Sequence, residues 1–211
     1  MNKEELLKAL EELNITPTEH QLNQLEKFYE LLIEWNQKIN LTRITEKEDV
    51  YLKHFYDSLT IVKAIDLNKV ETLCDVGTGA GFPGIVLKIM YPHLEIILID
   101  SLQKRVNYLN EIIKELELDE IIAIHVRAED YKGQFDVVTS RAVANIEKLL
   151  GYTMHLVSHN GCMIAMKGNI DSELTESIEK KINRKYEIIK KQQFLLPIEN
   201  SNRSLVVIKN K

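Results

Sequence analysis

The residues with the clearest chemical potential lie between positions 75 and 100. Asp75 is followed by Val76-Gly77-Thr78-Gly79-Ala80-Gly81-Phe82-Pro83-Gly84, and a second acid, Asp100, closes the next β-rich run with Ser101 beside it. Glycines in such a loop let the backbone turn tightly and approach a ligand closely. A carboxylate roughly 20 residues past the first glycine can accept hydrogen bonds from both hydroxyls of a ribose. Loop and acid together predict a nucleoside-containing cofactor, with Asp75, Gly77, Gly79, Asp100 and Ser101 among its contacts.

Two cofactor classes compete. A dinucleotide site needs G-x-G-x-x-G directly after the strand, so that pyrophosphate sits on a helix N-terminus. Counted from Gly77, the third position is Phe82; counted from Gly79, Gly81 and Gly84 match, but later than a tight strand-to-helix turn prefers. Asp75 weighs for S-adenosylmethionine: a carboxylate attracts its sulfonium and ammonium charges and would repel a pyrophosphate. Asp75 could instead hydrogen-bond the loop backbone, and both roles could coexist. A nicotinamide-dependent oxidoreductase is the alternative enzyme, although no Tyr/Lys or His catalytic pair stands out.

To hold these residues at one edge, the chain must place a strand–turn–helix unit inside a larger sheet. From residue 67 onward, β-rich runs at 71–76, 95–99, 121–126, 135–139 and 162–167 alternate with helical stretches near 84–90, 103–116, 146–158 and 171–183. Two more runs, 186–194 and 204–209, have no helix between them and predict an antiparallel hairpin around 196–203. This pattern implies an α/β fold, a Rossmann-like, seven-stranded, mostly parallel sheet covered on both faces. Residues 1–66 read as an N-terminal helical extension and 67–211 as the cofactor-binding domain. In the extension, Leu6, Leu7, Leu10 and Leu13 mark one helix that Asn14 can stop. Leu22, Leu25, Tyr29, Leu32, Ile33 and Ile39 mark a second that opens at Thr16-Pro17 or Thr18. Thr45 and Glu48 predict a capping box for a third helix that runs to about residue 65.

Composition narrows the function classes. The net charge of −5 argues against a general nucleic-acid coat protein but leaves room for a local basic patch. Apolar residues at 45% suffice for a sizeable core. Cys74 and Cys162 sit in apolar runs as expected buried thiols, with neither a disulfide framework nor a zinc site implied. The histidines lack metal-ligand spacing, so no metal is expected. The charged N-terminus is no signal peptide and no apolar run approaches a membrane span, so a cytoplasmic protein without membrane contact is expected. No feature demands a dimer, and a monomer is the expectation.

The string Asp75-Val76-Gly77-Thr78-Gly79-Ala80-Gly81-Phe82-Pro83-Gly84 resembles the glycine motif of the bacterial ribosomal RNA small subunit methyltransferase G family, also called glucose-inhibited division protein B. Further matches extend over nearly the whole chain: Asn40-Leu41-Thr42, His54-Phe55-Tyr56-Asp57-Ser58-Leu59, Asp100-Ser101-Leu102-Gln103-Lys104-Arg105, Arg127-Ala128-Glu129, Ser140-Arg141-Ala142 and Lys167-Gly168. The resemblance implies a class I methyltransferase sheet behind a helical extension. It implies N7 methylation of guanosine 527 in 16S ribosomal RNA, with the 30S subunit as partner and S-adenosylmethionine as donor. Carried over by position, cofactor contacts fall at Gly77, Phe82, Ala128, Glu129 and Arg141. A non-catalytic nucleotide-binding module serving ribosome assembly is the remaining alternative.

Methyl transfer from a sulfonium is an in-line displacement, and guanine N7 offers a lone pair without a proton. No general base is therefore required. Methyltransferases of exocyclic amines carry an Asn/Asp-Pro-Pro-aromatic segment where this chain has Thr139-Ser140-Arg141-Ala142, and neither cysteine looks presented as a nucleophile. Arg141 could grip phosphate or a base edge, or could merely pair with Asp136. Lys167 could meet RNA backbone, and Arg127 joins them as a positioning group. His54, Asp57 and Ser58 share a helical face; a hydrolase triad along one helix is improbable, and they are expected to brace the glycine loop or the extension. Lys104, Arg105, Arg43, Lys47, Lys53 and Arg203 could add a local RNA patch. Trp35 is expected in the core.

Overall fold

The alternation of β-rich and helical runs resolves into one seven-stranded sheet. A computed structural model describes residues 1–141 and 143–211; Ala142, part of one quoted motif, lies outside the described residues. The strands are β1 (Thr72–Val76), β2 (Glu95–Asp100), β3 (Ile121–His125), β4 (Phe135–Arg141), β5 (Val157–Lys167), β6 (Tyr186–Leu195) and β7 (Asn202–Asn210). They lie in the order β3-β2-β1-β4-β5-β7-β6. The first five pair in parallel, whereas β7 runs antiparallel to both β5 and β6. The strand order reverses between β1 and β4. Chain leaving these two strands diverges there and opens a crevice at their carboxyl ends.

Among the described residues, eight α-helices cover the sheet: α1 (Lys3–Glu12), α2 (Glu19–Ile39), α3 (Lys47–Val50), α4 (Asp57–Leu59), α5 (Gly84–Met90), α6 (Gln103–Glu115), α7 (Ile146–Thr153) and α8 (Glu176–Ile182). The pleat sends alternate strand residues to opposite faces. Leu73, Ile96, Leu98, Val137, Ile164 and Val207 pack under α1, α2, α5 and α6. Cys74, Ile99, Val138, Met163, Val206 and Ile208 pack under α7 and α8. The helical extension thus shares one core with the sheet. α2 is also bolted to its neighbours through their free C-terminal carbonyls. Gln21 Nε2 donates to Ile89 O at 2.8 Å, Gln24 Nε2 to Leu116 O at 2.8 Å, and Lys27 to the Glu115 carbonyl. Among the described residues, no helix is long and apolar enough to cross a membrane.

Helix starts follow local chemistry where a cap is available. Asn2 with Glu5, and Thr18 with Gln21, form reciprocal capping boxes. The box expected at Thr45 and Glu48 does not form; Glu46 precedes α3 and makes no side-chain cap. Nor is the third helix uniform. α3 passes through a π-helical turn (Tyr51–Tyr56) into α4 and then a 3-10 turn (Thr60–Lys63). Tyr51, Leu52, His54, Phe55 and Tyr56 are all buried, which no one-sided α-helical stripe could achieve. Two later boundaries also shift. β5 starts at Val157, inside the stretch expected to be helical, because Phe135 of β4 pairs with Val157 across a bulge. α8 starts only after its cap Thr175.

Candidate functional site

The loop from β1 into α5 forms a cradle. Gly77, Gly79 and Gly81 have φ of 68°, 60° and 95°, conformations that side chains resist. The Gly77 and Thr78 N–H groups donate to Ile99 O at 2.8 and 3.2 Å, tying the loop to β2. A Cβ on Gly77 would meet Val143 Cγ2 at 2.5 Å. Asp75 lies beneath, fully buried. Its Oδ2 accepts from Gly84 N–H at 2.8 Å, at the start of α5, while its Oδ1 has no partner among the described residues. The Thr78 hydroxyl is buried beside this carboxyl and makes no well-formed hydrogen bond among the described residues. Burial pushes the Asp75 carboxyl up to about 6, against the lowering effect of the nearby Thr78 hydroxyl and the Gly84 N–H. The loop-bracing role read for this acid is thus filled by Oδ2, and Oδ1 is left free of the backbone.

Asp100 is also committed to the loop. Its Oδ2 accepts from Gly79 N–H at 3.0 Å and from Arg105 Nη1 at 3.3 Å, and its Oδ1 from Leu102 N–H at 2.9 Å. Two carboxylate oxygens offer about four acceptor directions, which leaves room for a ribose hydroxyl. Ser101 is exposed next to it. Beyond β3, Val126 N–H bonds Asp100 O at 3.2 Å and brings a single 3-10 turn (Ala128–Asp130) alongside. There Ala128 is buried, while Arg127 and Glu129 are exposed. An orphaned buried carboxylate oxygen is costly unless a donor or cation meets it. Beside left-handed glycine backbone, it fits a nucleoside that carries positive charge, as S-adenosylmethionine does.

A second concavity, about 300 Å³, opens beside the cradle between the carboxyl ends of β4 and β5, the start of β7 and the π-helical turn. Lys53, Asp57, Arg141, Lys167 and Arg203 bring charge to its walls, and His54 lines it as well. Asp57, buried, bridges two guanidiniums: Arg141 Nη1 at 3.1 Å and Arg203 Nε at 2.9 Å. Arg141 Nη1 also donates to Lys53 O at 2.9 Å, and its Nη2 reaches His54 Nδ1 at 3.1 Å. Burial lowers the Arg141 pKa from its ordinary value, and the charge of Asp57 opposes that shift. Lys167 contacts the Ala144 carbonyl and Glu173 Oε2, the latter at 2.9 Å. Phe82, from the glycine loop, backs the His54 and Arg141 side of this cavity. His54 stacks on it at 4.4 Å with an 18° tilt, and Arg141 Cζ lies 5.2 Å from its ring centre.

The structure therefore brings Asp75, Gly77, Gly79, Phe82 and Asp100 together, with Ser101, Ala128 and Glu129 along the same edge. Arg141 and Lys167 face the second concavity; Arg127 does not line it. The Arg141–Asp136 pair considered from sequence is absent. Asp136 instead accepts from the Glu71 and Thr72 N–H groups and the Thr72 hydroxyl at 2.9–3.2 Å. Of the six cations grouped as a patch, only Lys53 and Arg203 line the cavity. Arg105 sits on Asp100, and Lys47 pairs with Glu26. Ser58 donates to His54 O at 2.6 Å, far from a nucleophile's role. Trp35 is half-buried and meets Tyr108 edge-on at 5.8 Å. Cys74 and Cys162 are buried, and burial raises both thiol pKa values. Sequence reasoning missed the contacts of Arg105 and Val143 with the cradle and the use of Thr42 beside His54. The quoted Asn40-Leu41-Thr42 string was the one available signal.

A family model described as rRNA small subunit methyltransferase G matches residues 21–206. The ribosomal RNA small subunit methyltransferase G of Bacillus pumilus is 44% identical over 218 residues, covering 100% of this chain and 91% of its own length. Its counterpart from Bacillus subtilis is 43% identical over 216 residues, covering 99% and 90%. Among solved structures, a SAM-dependent methyltransferase from Aquifex aeolicus superposes with a TM-score of 0.59 at 14% identity. It covers 83% of this chain and 97% of that one, a likeness of fold.

Proposed function

The chain belongs to the rRNA small subunit methyltransferase G family, and from that premise we propose its acceptor atom and the residues that serve the transfer. The protein is an S-adenosylmethionine-dependent methyltransferase acting on small-subunit ribosomal RNA. The proposed acceptor is N7 of guanosine 527 in 16S ribosomal RNA, carried by the 30S subunit in the cytoplasm and met by a monomeric enzyme. The observation that carries the donor side is the buried, unpartnered Oδ1 of Asp75 beneath the glycine loop. A buried negative charge there favours a cationic ligand over a dinucleotide pyrophosphate.

When bound, S-adenosylmethionine supplies a methyl group on positively charged sulfur, an electrophile that needs no further activation. In this reading Asp75 faces the ligand's positive charge, and Gly77, Gly79 and Phe82 wrap it with backbone and ring. Asp100 and Ser101 meet the ribose, and Ala128 and Glu129 border the adenine. Across Phe82, Arg141 and Lys167 hold the acceptor nucleotide, while exposed Arg127 meets flanking phosphate. Guanine N7 carries a bare lone pair, so these residues need only orient and exclude water. His54 suits such a site because burial, then the nearby Arg141 charge, pushes its pKa down to about 3. It is neutral at working pH and does not act as an acid.

The test is incubation with S-adenosylmethionine and 30S subunits lacking the modification, followed by nucleoside mass spectrometry and mapping of the modified position. The expected product is 7-methylguanosine at one site. Methylation of an exocyclic amine or of a pyrimidine carbon would reject the N7 assignment.

A further inference from the structure

A guanidinium only donates hydrogen bonds, and this fixes the state of its neighbour. Arg141 Nη2 stands 3.1 Å from His54 Nδ1, so Nδ1 must present its lone pair. In the neutral ring the proton then sits on Nε2, which lies 3.0 Å from Thr42 Oγ1. That oxygen also accepts from Ile44 N–H at 3.0 Å, so both of its lone pairs are used. Asn36 Oδ1 holds the turn by accepting from the Leu41 and Thr42 N–H groups at 2.7 and 2.8 Å. Asn40, at the end of α2, takes a left-handed φ of 50° that lets the chain reverse there. The Lys53 carbonyl, 3.2 Å from Nδ1, is served by Arg141 Nη1 at 2.9 Å and needs no ring proton.

Donation in these contacts runs one way, Arg141 to His54 to Thr42 to Asn36, from the cavity wall to the helical extension. Of the five N–H groups of Arg141, three are engaged with described residues. Nε–H and one Nη2–H remain for an acceptor. The ring of His54 cannot swing, because it is stacked on Phe82 of the cofactor loop.

We propose that His54 is a positioning residue for methyl transfer: held as its Nε2–H tautomer by Thr42, it aims the Arg141 guanidinium at the acceptor nucleotide. This rests on the reading of Arg141 as an acceptor-side group. The helical extension then supplies part of the reactive geometry, and Phe82 ties that geometry to the cofactor loop.

The first measurement is nitrogen-15 NMR of the full chain with labelled histidine at pH 7. The Nε2–H tautomer is expected; an imidazolium or an Nδ1–H tautomer at His54 would overturn the proposal. The second is steady-state methylation of unmodified 30S subunits by His54→Phe, which keeps a ring on Phe82 but cannot accept. Its kcat is expected to fall roughly tenfold or more, as misplacement of a positioned group does, with S-adenosylmethionine affinity unchanged by calorimetry. Thr42→Val should lose about threefold to tenfold in kcat, the weight of one hydrogen bond, and Thr42→Ser should restore it. The Thr42 pair carries the test if His54→Phe does not fold. Unchanged kcat in folded His54→Phe or in Thr42→Val sinks the proposal while the acceptor-side reading stands, provided Arg141→Ala is impaired. A fully active Arg141→Ala removes both together.

Discussion

The cradle at the ends of β1 and β2 draws its polar contacts from residues 75 to 105, whereas the cavity beside it draws on positions 53, 54, 57, 141, 167 and 203. The cradle is acidic and made largely of backbone, and two of its buried oxygens, Asp75 Oδ1 and Thr78 Oγ1, lack a well-formed hydrogen bond among the described residues. The cavity is lined by cations, each with an internal partner: Arg141 and Arg203 on Asp57, Lys167 on Glu173, Lys53 on Asp49 and Glu199. In the proposed reading a ligand completes the first and gains a missing partner there. A polyanion entering the second must share or displace existing ion pairs, so electrostatics there favour position over raw affinity.

Removing Asp57 should break this contrast most severely. Asp57→Ala leaves two guanidiniums facing each other in a largely buried place. The expected result is about 3 kcal/mol of lost stability in thermal or urea unfolding, with rRNA methylation abolished. Cofactor affinity in the protein that remains folded should persist, and joint loss of both would mean that the concavities are one unit. Asp75→Asn tests the other half. An amide oxygen can still accept from Gly84 N–H, but the charge is gone. Cofactor affinity should fall roughly 10- to 100-fold, the range for a charged hydrogen bond, without loss of thermal stability. Wild-type affinity in calorimetry would show that the orphaned oxygen is not the ligand's partner.

A pH titration sharpens the same point. The carboxylate is the form that holds a cation, and burial has pushed Asp75 up to about 6. Cofactor affinity should be flat above neutrality and weaken as pH falls through 6, by up to about tenfold per unit. In the ligand-free protein the stability linkage has the opposite sense. With a folded value above the ordinary 3.8, this group's contribution is full below 3.8 and is lost as pH rises toward 6. An affinity that rises on acidification would contradict the assignment. The smallest effect is expected at Lys167. Lys167→Ala should raise KM for 30S subunits a few-fold and flatten the salt dependence by about one counterion, leaving cofactor binding untouched. An unaltered salt slope would place Lys167 outside the RNA contact.

The cradle was legible because its logic is local. A strand that ends in an acid, a glycine turn and a helix follow one another within a dozen positions, and Asp100 sits at the end of the adjacent strand. The cavity was legible only in pieces. Arg141 and Lys167 could be marked as strand-end cations, but Asp136 looked as plausible a partner for Arg141 as any acid. Asp57, far away in sequence, became its partner because the π-helical turn rotates Asp57 toward β4 and β7. That turn could not be read from Thr45 and Glu48, whose capping pattern describes an ordinary helix start. Likewise the early start of β5 depends on pairing with Phe135, a contact that no window of sequence contains.

What the chain itself determined is therefore the kind of fold and the kind of donor site. Residue periodicity, glycine conformational freedom and the charge of Asp75 act over short stretches of backbone, where few arrangements compete. Only the tertiary structure decided which cations share the cavity, which acid neutralises them and which side chains meet the ring of His54. Those outcomes depend on strand order and on side chains meeting from distant segments. Many pairings of similar Coulomb energy exist in one dimension, and packing in three leaves a single one.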